Sequence, residues 1–240
     1  MRILLSNDDG YFAPGLAALA PAAPNVQFLA IGVPGITAGG NVSVLGDNSQ
    51  VEIVGFLAGY AAAMLADDHR TGMLMPKGDN DAIRMYNAFI NGRTYFCGLC
   101  RPRYILPWSF PQYLEISAEE DKNNYDAYAD ILILQFKVGT ILIHPDIYTQ
   151  DLVNYIGTTG VYMIGTVTPE QRPAGWVMTI QPDTIKAIQT AWPQLLAGQG
   201  GITVQSPLGL SDIDPSLLSP GKQLDVQATL DKLQAGLIAP

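Results

Sequence analysis

The sequence predicts an α/β fold with mostly parallel sheets and flanking helices. Short apolar runs, such as residues 26–32 and 160–165, are typical of strands that are buried on both faces. Longer segments, such as residues 50–66, carry apolar side chains at three- and four-residue spacing, which indicates amphipathic helices. Strands that alternate with helices along the chain predict parallel pairing within a sheet.

The elements follow in order along the chain. The predicted strands are residues 3–5, 26–32, 71–75, 160–165 and 176–180, and residues 41–45 are either a short strand or an edge that faces a ligand. The predicted helices are residues 50–66, 79–91, 145–155, 183–197 and 223–236. Two further apolar segments are residues 130–136 and 139–145. A strand and a structured loop are predicted for residues 96–111, and a loop for residues 206–221.

Composition limits the classes of function. The 240 residues, 48% of them hydrophobic, suffice for one large α/β domain or for two lobes. Thirteen basic and 22 acidic residues give a net charge of −9 without a basic stripe, so nucleic acid is not an expected partner. No apolar run reaches the roughly 18 residues of a membrane span, and no signal peptide pattern is present, so the chain as written is expected in the cytoplasm.

The two cysteines, Cys97 and Cys100, form a single C-x-x-C pair. One such pair supplies at most half of a structural zinc site, and no second pair accompanies it. Two interpretations stay open: a local disulfide if the protein is exported, or two inert thiols if it is not.

The N-terminal segment carries two adjacent carboxylates, Asp8 and Asp9, at the carboxyl end of the first predicted strand. Parallel sheets bind ligands at this edge, and hard cations such as Mg²⁺ or Mn²⁺ prefer oxygen ligands. An ordinary turn between strand and helix is the alternative. Residues 1–20 resemble the start of the SurE family of metal-dependent 5'/3'-nucleotidases, which implies that Asp8 and Asp9 hold the metal. Asn41 and Ser43 follow at a suitable distance, and Ser43 is a further candidate ligand.

A longer resemblance covers residues 25–240. Several segments resemble, in the same order, the BMP (basic-membrane-protein-like) family of ABC-transporter solute-binding proteins. They are residues 28–32, 56–64 with 71–74, 87–92 and 160–165. The resemblance implies a type I periplasmic-binding fold of two lobes that close on a small ligand, commonly a nucleoside, without chemistry or a required cofactor. It also implies an extracytoplasmic location and transporter membrane subunits as partners.

The chain departs from that family at its start, where the SurE-like unit stands in place of the first part of lobe one. The sequence therefore predicts an incomplete first lobe, in a natural fusion or a constructed chimera. The expected division is residues 1–66 for the partial first lobe, 67–175 for the second lobe, and 176–240 for a return segment with C-terminal helices.

Ligand contacts are expected from aromatic and amide side chains near the family's cleft. Trp108 and Phe110 could stack on a base or sugar, and Trp176 and Asn41 are further candidates; packing in the core is the alternative for the aromatic rings. The leading hypothesis is a nucleoside-like solute-binding protein without catalytic residues. The alternatives are a metal-dependent nucleotidase that acts through Asp8 and Asp9, and a scaffold that binds no ligand.

Overall fold

A computed structural model describes residues 2–7, 19–33, 35–46, 50–100 and 107–240, with the backbone alone described for residues 2–7. The chain divides into two compact units. The smaller unit contains Met1–Ser49 and Pro182–Pro207, and the larger unit contains Gln50–Gln181 and Leu208–Pro240. The chain therefore passes from one unit to the other three times.

Ten strands and six α-helices make up the described part of the chain. The strands are β1 (Arg2–Asn7), β2 (Val26–Ile31), β3 (Val42–Gly46), β4 (Thr71–Pro76), β5 (Gln112–Ile116), β6 (Thr140–Ile143), β7 (Tyr162–Gly165), β8 (Trp176–Pro182), β9 (Thr203–Gln205) and β10 (Leu208–Ser211). The helices are α1 (Val51–Leu65), α2 (Asn80–Cys97), α3 (Tyr125–Asp130), α4 (Gln150–Gly157), α5 (Thr184–Leu196) and α6 (Pro220–Gln234). Short 3-10 turns cover Asp67–His69, Lys122–Asn124 and Pro145–Ile147, and a π-helical turn, Ile131–Gln135, continues α3.

The smaller unit is built on a parallel sheet with the strand order β1-β2-β3-β9. Successive side chains of β2 point to opposite faces of this sheet, as in any strand. Phe28 and Ala30 pack on one face with Ala20 and Val33. Leu29 packs on the other face, against α5. Both faces of the strand are therefore buried, which explains its continuous apolar sequence.

The larger unit is built on a six-stranded sheet with the order β10-β8-β7-β6-β4-β5, in which β5, β4, β6, β7 and β8 are parallel. Met73 and Met75 of β4 face one hydrophobic core, to which α1, α2 and α6 contribute. Leu74 faces a second core on the other side of the sheet, with α3 and α4. This architecture confirms the predicted α/β class with mostly parallel sheets and flanking helices.

Helices α1 and α2 pack unusually close together because three glycines lie where they cross. A Cβ atom on Gly59 would overlap the carbonyl oxygen of Phe89 and lie 2.8 Å from its carbonyl carbon. Gly55 meets the backbone of Met85 in the same way, and Gly92 of α2 meets the backbone of Phe56. The sequence spacing Gly55-x-x-x-Gly59 thus places both small residues on the helix face that contacts α2.

The structure settles two segments that the sequence described only loosely. The apolar segment 130–136 is helical, as the end of α3 and the π-helical turn, with Leu132 buried and Leu134 exposed. Residues 96 and 97 end α2, and residues 107–111 form no strand; residues 101–106, also part of the segment in which a strand was expected, lie outside the described residues. Strand β5 begins at Gln112. Cys97 and Cys100 form a disulfide just after α2.

The two units do not follow the predicted boundaries after residues 66 and 175. Helix α1 belongs to the larger unit, because its buried face packs against α2 and the sheet of that unit. Residues 182–207 belong to the smaller unit, since β9 pairs with β3 and α5 covers Leu29. Among the described residues, none of the helices combines the length and the apolar character that a membrane crossing requires.

Candidate functional site

The strand order of the larger unit defines one position where connections diverge. Strand β4 lies between β5 and β6 in the sheet, although β5 lies between them in the sequence. One connection therefore leaves β4 toward β5, and the next returns across to β6 on the other side. Open α/β sheets bind ligands at such a switch point, in the crevice outside the carboxyl ends of the strands.

Backbone hydrogen bonds hold the carboxyl ends of the three strands together. The N–H of Lys77, just after β4, donates to the carbonyl of Ile116 at the end of β5, at 2.9 Å. The N–H of His144, just after β6, donates to the carbonyl of Leu74 at 3.0 Å. The residues that follow these strand ends consequently start from fixed positions.

The turn after β4 leads directly into α2. Gly78 adopts a φ of 74°, which favours glycine because a Cβ would be strained there. The carboxylate of Asp79 then accepts a hydrogen bond from the N–H of Ala82 at 2.7 Å and caps the helix. Asp79 therefore fixes the amino end of α2 beside the switch point.

The segment after β6 places His144 in the protein interior. Only 5% of His144 is exposed, and its Nδ1 accepts a hydrogen bond from the N–H of Asp146 at 3.3 Å. The neutral ring consequently carries its proton on Nε2. Burial lowers the pKa of His144 below its usual range, and the nearby carboxylates of Asp146, Asp79 and Asp81 oppose that shift. His144 is thus a buried, neutral strand-end histidine at neutral pH.

A pocket of about 400 Å³ lies at these strand ends. Its walls come from the turn after β4, the end of β5, the approach to α3 and the turn after β6. The lining residues are Pro76, Lys77, Gly78, Asp79, Ile116, Ala118, Lys122, Tyr125, Asp146 and Ile147. Two ammonium groups, two carboxylates and a phenol therefore meet in one concavity, a combination that suits a small polar solute.

Sequence reasoning missed this group of residues. Lys77, Lys122 and Tyr125 are far apart in the chain, and only the strand order brings them together. Strand β5 is an edge strand in which partly buried and exposed residues alternate before Ile116, so it lacks the apolar run that marked the other strands. The available signal was the rule that polar residues just after parallel strands line ligand sites.

The predicted aromatic contacts lie elsewhere in the larger unit. Trp108 is partly exposed and packs edge-on against Phe136, with ring centroids 5.4 Å apart. Phe110 is buried in the same core. Neither residue lines the pocket at the switch point, and a role in ligand contact stays a prediction for both.

Trp176 is the first residue of β8, and its side chain is fully buried. Its indole N–H donates to the hydroxyl of Thr179 at 3.2 Å, and Tyr148 lies edge-on to its ring. Gly165 of the neighbouring strand leaves room for the ring, because any side chain there would overlap it. Trp176 therefore packs in the core of the larger unit, and this position offers no ring surface to a ligand.

Asn41 and Ser43 lie in the smaller unit. The side-chain nitrogen of Asn41 lies within hydrogen-bonding distance of the carbonyl oxygens of Ala20, Ala23 and Val26, at 2.9, 3.1 and 2.8 Å. Asn41 thus holds the turn before β2, and it also lines a separate cavity of about 430 Å³. A ligand contact by Asn41 stays a prediction, with its amide nitrogen already engaged by the backbone.

Ser43 is fully buried within β3, and its hydroxyl accepts a hydrogen bond from the N–H of Ile202 at 3.4 Å. It pairs with Leu29 of β2, which in turn pairs with Leu5 of β1. Leu5, Leu29 and Ser43 are therefore neighbours across the sheet, and Leu5 lies two residues before the end of β1 at Asn7. Asp8 and Asp9 lie outside the described residues, so the metal site and the nucleotidase hypothesis stay predictions. Among the described residues, no three acidic, His or Cys side chains are grouped to hold a metal.

The two-unit α/β architecture is shared with solved structures. The fold is similar to that of an ABC-transporter solute-binding protein from Conexibacter woesei, with a TM-score of 0.68 and 17% identity over 95% of this chain and 75% of that one. A solute-binding protein from Aeropyrum pernix gives a TM-score of 0.56 and 14% identity, over 98% of this chain and 76% of that one. A transcriptional activator of the comK gene from Bacillus halodurans gives a TM-score of 0.60 and 12% identity, over 96% of this chain and 77% of that one.

These similarities define the class of fold. The chain has the architecture of proteins in which two parallel α/β units are connected by several chain crossings. More specifically, it has a type I periplasmic-binding-like fold, the fold of the ABC-transporter solute-binding proteins to which it is similar. No protein-family model matches the sequence.

Proposed function

We propose that this protein binds a small solute at the carboxyl ends of β4, β5 and β6. The observation that carries the proposal is the polar pocket of about 400 Å³ at the switch point of the larger unit. The fold alone leaves function open, because the solved structures of this fold include both solute-binding proteins and a transcriptional activator. The pocket adds the concave, charged site that binding requires.

A thermal-shift screen tests this proposal with libraries of sugars, nucleosides, amino acids, carboxylates and phosphate esters. A solute that binds only the folded chain raises its unfolding temperature in a concentration-dependent manner. Ala118 is exposed and lines the pocket, so Ala118→Trp should fill the site without disturbing the core. Ala235, exposed at the end of α6, supplies the matched control Ala235→Trp.

The expected result is stabilisation of the wild-type protein and of Ala235→Trp by the same solute, with none for Ala118→Trp. Stabilisation that persists in Ala118→Trp would place the binding site elsewhere. A complete lack of stabilisation by every class of solute would argue for a scaffold without a ligand.

Within this function, we propose a nucleoside-like solute as the specific ligand. The support is the resemblance of the sequence to the BMP family. Adenosine and uridine titrations, followed by tryptophan fluorescence, test this point. Saturable binding that is lost in Ala118→Trp would support it, whereas binding of sugars in preference to nucleosides would contradict it.

The same function implies an extracytoplasmic location and a transporter membrane subunit as partner. The disulfide between Cys97 and Cys100 supports this part of the proposal, because disulfides persist mainly in oxidising compartments. Thiol labelling of the protein in fractionated cells provides the test. Free thiols and recovery in the cytoplasmic fraction would contradict it.

A further inference from the structure

The charged groups of the switch-point pocket are not equally engaged. Asp79 accepts the capping hydrogen bond from Ala82, and an oxygen of Asp146 lies 3.7 Å from Nδ1 of His144. Lys77 and Lys122 are both exposed and line the pocket. Neither lysine forms an ion pair with any residue that the structure describes. The positive charges of the pocket are therefore available to a ligand. Of the two carboxylates, Asp79 is engaged by the helix cap, whereas Asp146 is exposed and receives no proton from Nδ1 of the neutral His144.

Tyr125 provides an independent indication of a ligand. It is only 4% exposed, yet it lines the pocket. Its hydroxyl forms no hydrogen bond within the described ranges, whereas the nearby Tyr128 and Tyr155 donate to Glu120 and Asp130 at 2.9 and 2.7 Å. The hydroxyl oxygen itself remains accessible to solvent, so this hydroxyl is free to donate a hydrogen bond to a ligand in the pocket.

The amino end of α2 adds to the positive potential at this place. The helix has 18 residues, and its first turn begins just after Gly78 and Asp79, which both line the pocket. The aligned peptide dipoles of a helix favour negative charge at its amino end. Asp79 uses one of the free N–H groups of that turn, and its charge is partly balanced by the same dipole.

From these three observations we infer that the solute carries an oxyanion group, either a carboxylate or a phosphate. The ammonium groups of Lys77 and Lys122 bind this group, and the hydroxyl of Tyr125 donates a hydrogen bond to it. This inference rests on the proposed function and narrows its ligand class: for a nucleoside-like solute it favours the phosphorylated form over the uncharged nucleoside. The remaining oxygens of Asp79 and Asp146 are left to accept hydrogen bonds from hydroxyl or amino groups elsewhere on the solute.

The experiment compares solutes that differ only in the oxyanion, by isothermal titration calorimetry with the full chain. AMP is paired with adenosine, glucuronate with glucose, and every compound that the thermal-shift screen identifies with its uncharged analogue. The charged member of each binding pair should bind at least about tenfold more tightly than the neutral one, as expected for a charge-assisted hydrogen bond. Whether AMP or glucuronate shows the preference distinguishes phosphate from carboxylate.

Three variants assign the effect to the pocket. Lys77→Met, Lys122→Met and Tyr125→Phe should each weaken the charged solute about tenfold, and leave the affinity for its neutral analogue nearly unchanged. Tyr125→Phe retains the buried ring, so it should fold as the wild type does. Lys232→Met, which removes an exposed charge from the last turn of α6, is the control and should bind like the wild type. Added salt should weaken binding of the charged solute in the wild type.

Equal binding of the charged and neutral members, or wild-type affinity in all three variants, would overturn the oxyanion inference and leave the solute-binding function intact. Preferential binding of a neutral or cationic solute that Ala118→Trp abolishes would do the same. If no solute of any class binds, the proposed function and this inference both fail.

Discussion

Replacement of Gly59 by alanine should destabilise the larger unit, although alanine is the better helix former. The new Cβ would overlap the carbonyl oxygen of Phe89 and lie 2.8 Å from its carbonyl carbon, 0.6 Å closer than the 3.4 Å at which ordinary van der Waals contact begins. These are backbone atoms of α2, so no side-chain rotation relieves the overlap and the two helices must separate. Because both helices are part of the main hydrophobic core, the separation also loosens the packing of Phe56 and Phe89.

The magnitude follows from two opposing effects. Overpacking of a core costs about 1–3 kcal/mol, and a clash with backbone belongs at the upper end. The helix propensity of alanine returns about 1 kcal/mol. The net loss should therefore be about 2 kcal/mol, or roughly 4–8 °C in Tm for a chain of this size.

Thermal unfolding monitored by circular dichroism measures the effect of Gly59→Ala, and Gly221→Ala is the matched control. Gly221 also lies in a helix, but a Cβ there would have no atom within 4 Å. The control should therefore be neutral or slightly stabilising. An unchanged or raised Tm in Gly59→Ala would refute the close approach of α1 and α2.

Three further predictions concern hydrogen bonding and pH. In Asn41→Asp the amide donor is lost, so the smaller unit should lose about 1–3 kcal/mol, measured by urea unfolding; an equal stability would show that the turn before β2 does not depend on it. Because burial lowers the pKa of His144 below 6.5, the unfolded chain takes up a proton that the folded chain resists, and stability should fall as the pH drops below 6.5. The free energy of unfolding, measured as the pH is lowered, should fall less in His144→Gln than in the wild type, and an identical fall in both proteins would contradict this. Burial, with a smaller effect of Tyr113, raises the pKa of Tyr86 to about 12, so stability should fall as the pH rises from 10 to 12, where only the unfolded phenol ionises. Alkaline unfolding of Tyr86→Phe should lack this contribution, and a loss of the same size in both proteins would be evidence against it.

The sequence predicted the parts of the fold whose burial is uniform. Strands β2, β4 and β7 are continuous apolar runs because both faces of their sheets are covered, and α1 and α5 show clear helical spacing. The sequence was less informative where burial is mixed. The run 131–135 is apolar and rich in isoleucine, but its length fits either a strand or a helix, and only its packing beside α4 and β5 makes it helical.

The candidate site was less predictable than the fold, because it depends on the order of strands and not on a motif. The strand at residues 71–75 and the helix at residues 79–91 were each predicted correctly. The proximity of Lys77, Lys122 and Tyr125 was not, since β5 was missed and nothing in the sequence places it beside β4 and opposite β6. Ligand contacts were instead predicted for large aromatic residues, yet Trp176 is a core residue whose indole N–H donates a hydrogen bond to Thr179.

The location of the pocket makes binding and stability separable in this protein. Lys77 and Lys122 are exposed on turns beyond the strand ends, whereas the packing that holds those ends lies beneath them, in residues such as Leu74 and Ile116. Exposed charges of this kind contribute little to stability, so their removal should change affinity without changing Tm. Gly59→Ala should do the reverse, because Phe89 lies further along α2 than the residues that line the pocket, and its contact with Gly59 supports the core. A lysine variant that lost stability and affinity together would show that the pocket is part of the structural core and not a site built upon it.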